Sequence, residues 1–186
     1  MAKPKKKQAK KTKQQQEIDI TFSIKLSPLT KKIVLVVLVL LAILLPLYYV
    51  LYSYSINNFY SFPIDDPWIH LQFAKNLAVY GSYSYFKNEV VTAGSTSPIY
   101  TLVLAAGFFI TKNEMCLSYI LGMIFFALSV FYFYKISEDT FPKENWLAIG
   151  AVLIFVLDKW LNFISVSGME TSMYVFMLLA AFYYYH

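Results

Sequence analysis

Arginine is absent from this chain: all sixteen of its cationic side chains are lysine. Without the planar guanidinium fork, bidentate recognition of base edges or phosphate is disfavoured, so nucleic acid is not an expected partner. Cysteine is nearly absent. Cys116 stands alone inside an apolar run, which excludes a disulfide framework and points to neither a zinc site nor a cysteine nucleophile. Charge is scarce too, at 15% of residues, where an average soluble domain carries about 25%. There is no glycine-rich phosphate loop and no internal repeat.

What is present is apolar and aromatic. Hydrophobic residues make up 58% and aromatics 19% of the 186 positions. They gather in long runs rather than at core periodicity, as in a multi-spanning membrane protein. The net charge of +5 is not spread over a face: ten lysines fall within residues 1–32, against Glu17 and Asp19. This segment, residues 1–32, lacks an apolar stripe and reads as a disordered tail on the cytoplasmic side. Such tails are also drawn weakly to anionic headgroups.

The membrane region is expected over residues 33–186. Ile33 to Leu51 is the first span, at 19 residues close to the roughly 30 Å of hydrocarbon. It is too long for a signal-peptide core and lacks a cleavage site. Pro46 is expected to kink it, and tyrosines 48, 49, 52 and 54 fit an aromatic belt. The lysine asymmetry puts the N-terminus inside and residues 55–97 outside. Pro98 to Thr111 reads as a short second span turning at Lys112-Asn113-Glu114, and Met115 to Tyr134 as a third. The third span emerges at KISEDTFPKEN, whose two lysines against three acids agree with an outer loop. Met169 to Tyr185 is the last apolar run, and the chain is expected to be the N-terminal part of a longer protein. The fold class is thus all-α, a polytopic transmembrane helical bundle with an amphipathic surface helix in its outer loop.

That loop holds the chemistry. Asp66-Pro67 reads as an N-cap followed by the first residue of a helix to about Val79, stopped by Gly81. Ile69, Phe73, Leu77 and Tyr80 fall on one face, giving an amphipathic helix along the membrane surface. The cap accounts for Asp66 and leaves Asp65, either a solvated loop acid or a base for an incoming hydroxyl. Two adjacent carboxylates also offer the oxygen ligands that a divalent cation takes. Lys75 and His70 each have the charge or the ring nitrogen to meet a phosphate; His70 also reads as an interfacial aromatic. Glu89 is an exposed loop acid. Ser97-Pro98 reads as another cap and helix start. Glu170, in GMET, puts a carboxylate at the mouth of an apolar helix, where the dipole favours it and where ionisable groups are functional candidates.

In combination, IDDPWIHLQFAKNLAVYG, then GSTSPIYTLVLA, then SGMETSMYVFMLL resemble the GT-C superfamily of membrane glycosyltransferases. The likeness is to the arabinofuranosyl- and mannosyltransferase-like branch and runs from about Ile33 onward. The resemblance implies a polyprenyl-phosphate-linked sugar donor and a glycan, lipid or protein acceptor. It implies a plasma-membrane (bacterial inner-membrane) location and a catalytic base at Asp65 or Asp66. A further loop acid is expected near Glu89, which stands about one residue out of register. Such enzymes continue through more helices and often an outer domain, so these residues alone are expected to be inactive. The rival reading is a non-catalytic polytopic protein, a transporter component or an assembly partner.

Two topologies remain for residues 146–170. A continuous fourth span to about Ile164 carries Asp158 and Lys159 through the membrane and leaves Glu170 on the cytoplasmic side. Alternatively, Trp146 to Leu157, about 18 Å of helix, enters from outside, turns at Asp158-Lys159 and returns. This re-entrant reading places Glu170 with Asp65, as a second acid, a ligand for a metal on the donor phosphate, or a lysine's partner.

Overall fold

The computed structural model describes residues 26–87, 89–91 and 94–185. Most of the lysine-rich tail, and its expected disorder, lies outside the described residues. Among those described the chain is all-helical, with no strand. The helices are α1 (Pro28–Asn57), α2 (Pro67–Tyr80), α3 (Pro98–Gly107), α4 (Glu114–Thr140), α5 (Asn145–Leu157), α6 (Lys159–Ser165) and α7 (Thr171–Tyr185).

Ser27 starts α1 by accepting from the Thr30 amide at 3.1 Å, and Pro28 fills a first-turn position where a missing N–H costs nothing. The helix therefore begins ahead of Lys31-Lys32, inside what reads as tail. Its 30 residues reach about 45 Å, and it runs as one element through Pro46, which lies in its buried seam with Leu38, Ala42 and Val50. Helix α4, with 27 residues, starts at Asn113, whose side chain accepts from the Cys116 amide at 3.0 Å. These two helices are long and apolar enough to cross a membrane, and α5 with α6 adds a third if the pair is counted as one bent span.

Ion pairs and hydrogen bonds fix which ends meet. Lys31 Nζ lies 3.1 Å from Glu138 Oε1, tying the first turn of α1 to the last of α4. Tyr119 donates to the Ser61 carbonyl at 2.8 Å, tying the opposite ends. The two helices are thus antiparallel. Glu114, at the start of α4, takes Lys75 of α2 at 2.7 Å. Helix α2 therefore sits at the end where α1 finishes.

This arrangement corrects three expectations. Pro98 to Thr111 is not a span: α3 has ten residues, about 15 Å, and both it and the turn into α4 stay at the α2 end. Its apolarity serves packing, with Leu104 and Ala105 buried against Leu71 and Ala74 of α2. Second, residues 135–145 lie beside the first turn of α1 rather than at the α2 end. One of their acids is a partner for lysines: Glu138 pairs with Lys31 and, at 3.7 Å, with Lys135.

Third, α5 and α6 neither form a straight span nor return to their starting end. Val152 and Val156 of α5 pack with Leu38, Val130 and Tyr134 in one core cluster, whereas Val166, just beyond α6, packs with Phe62, Tyr100 and Tyr119 in the other. The pair crosses the bundle with a 56° bend at Asp158. Asp158 makes the break by capping α6, its Oδ1 accepting from the Trp160 and Leu161 amides at 2.9 Å each. Gly122 of α4 admits the end of α6: a Cβ there would stand 1.9 Å from the Ser165 carbonyl oxygen.

Helix α2 also presents a different face from the expected one. Its buried residues are Pro67, His70, Leu71, Phe73, Ala74 and Asn76, while Tyr80 is exposed. It is covered on two sides, by the bundle and by the loop that follows it. Asn76 donates to the carbonyls of Ser84 and Tyr85 at 2.9 and 2.8 Å, and Phe73 packs on Tyr83. Hydrogen bonding, not hydrophobicity, draws the two polar side chains inward.

Candidate functional site

The expected N-cap at Asp66 is not made. Asp66 has helical backbone angles (φ −54°, ψ −36°) and its side chain bonds no amide of the first turn. Backbone alone closes that turn, through Trp68 N–H to the Asp65 carbonyl at 3.1 Å and Ile69 N–H to the Asp66 carbonyl at 3.0 Å. The distinction between a capping Asp66 and a spare Asp65 therefore disappears. Both carboxylates are exposed and neither is needed for the fold. Ser97 likewise gives α3 no side-chain cap.

One turn along α2, His70 is buried, its side chain only 3% exposed. Its Nδ1 lies 2.9 Å from Ser95 Oγ and its Nε2 lies 3.1 Å from Glu170 Oε2. The three residues come from α2, from the loop before α3 and from the turn before α7. Ser95 Oγ continues to Thr101 Oγ1 at 2.7 Å, and Thr101 donates to the Ser97 carbonyl at 3.0 Å. The Tyr100 ring meets the His70 ring edge-on at 5.9 Å, and its hydroxyl donates to the Gly168 carbonyl at 3.0 Å. Burial pushes that hydroxyl up to about 12; Ser118's hydrogen bond opposes the shift and Glu170's charge adds to it.

Gly168 lets the α6–α7 turn close on α2. Its φ of +83° is left-handed, and a Cβ would fall 2.6 Å from the Phe62 ring and 2.8 Å from Pro67. Phe62 and Pro67 flank the acidic pair, so Glu170 belongs to the same end of the bundle as Asp65 and Asp66. The juxtaposition expected of a re-entrant turn thus arises by a different path, a broken crossing.

The contact between Glu170 and His70 is at ion-pair distance but lacks the alignment of a hydrogen bond, so the buried Oε2 has no hydrogen-bond partner. The rest of the side chain, a quarter exposed, borders a groove of about 400 Å³ between the first turns of α3 and α7. Ser97, Thr171 and Glu170 line its polar mouth, and Ile99, Met173 and Met177 its apolar side. A second cleft, of about 410 Å³, lies beside Phe62 and Pro63, between the end of α1 and Val166.

The other expected site residues are not gathered here. Lys75 is held by Glu114. Glu89 is exposed on the loop after α2, its carbonyl accepting from Ser82 at 3.0 Å. Among the described residues no three His, Cys, Asp or Glu side chains come together as metal ligands. Sequence reasoning missed Ser95, Tyr100 and Thr101. They flank Ser97-Pro98 in GSTSPIYT, but no spacing rule ties them to a histidine 25 residues earlier. Comparison with family models, with curated proteins and with solved structures gives no match.

Proposed function

We propose that this chain is the site-bearing part of an integral membrane glycosyltransferase. In this reading it transfers a sugar from a polyprenyl-phosphate donor to an acceptor hydroxyl on the outer face of the plasma membrane. The N-terminus is cytoplasmic and the α2 end of the bundle faces outward. The observation that carries the reading is the convergence of two exposed carboxylates, Asp65 and Asp66, with the Glu170–His70 contact at one end of a bundle with membrane-length helices. A lipid-linked donor needs such a place, where polar groups meet apolar grooves open along the helices.

Asp65 or Asp66 takes the proton of the acceptor hydroxyl as that oxygen attacks the anomeric carbon. The bond from that carbon to the phosphate oxygen breaks, and polyprenyl phosphate leaves with its tail in the bilayer. The amphipathic groove between α3 and α7 suits a molecule with a polar head and a hydrocarbon chain.

The test is transfer from a polyprenyl-phosphate sugar by membranes containing the complete protein, with Asp65→Asn, Asp66→Asn and the double variant compared. At least one single variant is expected to lose transfer while inserting normally; full activity in the double variant would sink the reading. A transport function has one observation in its favour, the crossing broken at Asp158, since discontinuous helices serve ion sites in transporters. Under that reading, solute flux would depend on Asp158 and not on Asp65 or Asp66.

A further inference from the structure

Hydrogen counting along the buried chain leads to a site for a proton. Thr101 Oγ1 lies 3.0 Å from the Ser97 carbonyl, which can only accept, so the threonine hydrogen goes there. Ser95 Oγ, 2.7 Å from Thr101 Oγ1, must then donate to it. With its one hydrogen used, Ser95 accepts from His70 Nδ1 at 2.9 Å. Nδ1 therefore carries hydrogen. In a neutral ring Nε2 would be a bare lone pair, facing Glu170 Oε2 at 3.1 Å. Two acceptors at that distance, away from water, repel unless a proton lies between them.

We propose that His70 and Glu170 share one proton beyond a neutral imidazole and an ionised carboxylate, making the pair electrically neutral, with His70 as the positioning residue that holds Glu170 at the groove. The opposite direction of the hydroxyl chain is poorer on two counts. It turns the Thr101 oxygen lone pairs onto a carbonyl at 3.0 Å. It also leaves the pair with a net negative charge on a buried carboxylate oxygen. The groups facing the pair fit neutrality. Tyr100 lies against the ring with its hydroxyl committed to Gly168, and Asp66, one turn before His70, is exposed. A neutral pair lets the polar mouth of the groove receive a phosphate headgroup that a bare carboxylate would repel. That consequence alone rests on the proposed transferase reading.

The ring itself reports the outcome. Histidine-15N-labelled full chain carrying His186→Gln, which leaves His70 as the single histidine, is measured in lipid bilayers by solid-state NMR at pH 7. The expected spectrum has Nδ1 protonated and Nε2 also bonded to hydrogen, as imidazolium or as acceptor from a carboxylic proton. In Glu170→Gln the ring is expected to keep Nδ1–H and lose the shared proton, because the amide can donate to Nε2. In Thr101→Val, Ser95 is free to donate, and the population is expected to move toward the Nε2–H tautomer. A wild-type ring protonated on Nε2 alone, or on Nδ1 alone with Nε2 free of hydrogen, overturns the proposal, as does a tautomer that Thr101→Val leaves unmoved. No substrate enters this measurement, so failure of the transferase reading and failure of the shared proton are seen separately.

Discussion

The two ends of the bundle are built from the same helices but from different chemistry. Around the first half of α1 the core is apolar, with Leu38, Ala42, Phe126, Val130, Val152 and Val156, and the buried polar side chains nearby are few and small, Ser129, Ser137 and Asn145. Around α2 the core keeps Leu71, Leu104 and Val166 but encloses His70, Asn76, Ser84, Ser95, Thr101 and Ser118 as well. Buried polar groups are tolerated only when bonded to one another. The α2 end meets most of that requirement by bringing three non-helical segments onto one short helix, leaving the Tyr83 hydroxyl and Glu170 Oε2 without a hydrogen-bond partner. The contrast separates a half that holds the bundle together from a half shaped around a histidine.

The sharpest way to break this comparison is to ask which segments share an end, an all-or-none result. Single cysteines replacing Lys87 and Asp139, in a Cys116→Ser background, are expected to label from opposite sides of the membrane with an impermeant thiol reagent. The lysine-to-acid count around residue 139 places both on the outer side. Labelling of both from the same side would favour the charge count over the Lys31–Glu138 pairing.

Next in size is the functional contrast. Replacing the carboxylate that acts as base is expected to lower transfer by about 10²–10⁴-fold, with insertion and thermal stability unchanged because neither Asp65 nor Asp66 caps α2. Phe126→Ala, at the other end, is expected to do the reverse. A buried phenylalanine truncated to alanine costs about 3–5 kcal/mol, read as a lower denaturation midpoint, while transfer below that midpoint stays at the wild-type rate. Loss of activity without loss of stability in Phe126→Ala would erase the division of labour between the two ends.

What could be read from the sequence follows the same division. The long helices were legible in the runs Ile33–Leu51 and Met115–Tyr134, because hydrocarbon thickness sets a length that composition must match. Helix α2 was legible between Asp66-Pro67 and Gly81, whose φ of +68° ends it, because local backbone chemistry decides both positions. The site was not. Periodicity put Ile69 and Tyr80 on the buried face of α2, since a scale of hydrophobicity cannot know that Ser95 and Glu170 await His70. Those partners stand 25 and 100 residues away, and one of them arrives only because Asp158 breaks a crossing. Helix α3 misled for a related reason: an apolar run of ten residues looks the same whether it crosses a bilayer or packs on a neighbour.

The smallest expected effect sharpens the comparison at a single hydroxyl. Tyr100 is fully buried, and Tyr100→Phe removes its bonds to Gly168 and Ser118. At neutral pH this is expected to cost about 1–2 kcal/mol of stability, as for a buried acceptor left unpaired. The difference is expected to change sign with pH. The folded-state value of about 12 lies above the ordinary value of 10.0, so between those limits the unfolded chain releases the tyrosine proton while the folded chain keeps it. Stability of the wild type therefore falls there by up to about 1.4 kcal/mol per pH unit from this group, and the variant escapes that loss. The Tyr100→Phe deficit should be constant below pH 9, shrink from pH 10 and reverse before pH 12. Paired denaturation curves of wild type and variant, taken across that range, give the difference directly; a deficit that does not vary with pH would mean that Tyr100 is solvated and the α2 end far wetter than its hydrogen bonds describe.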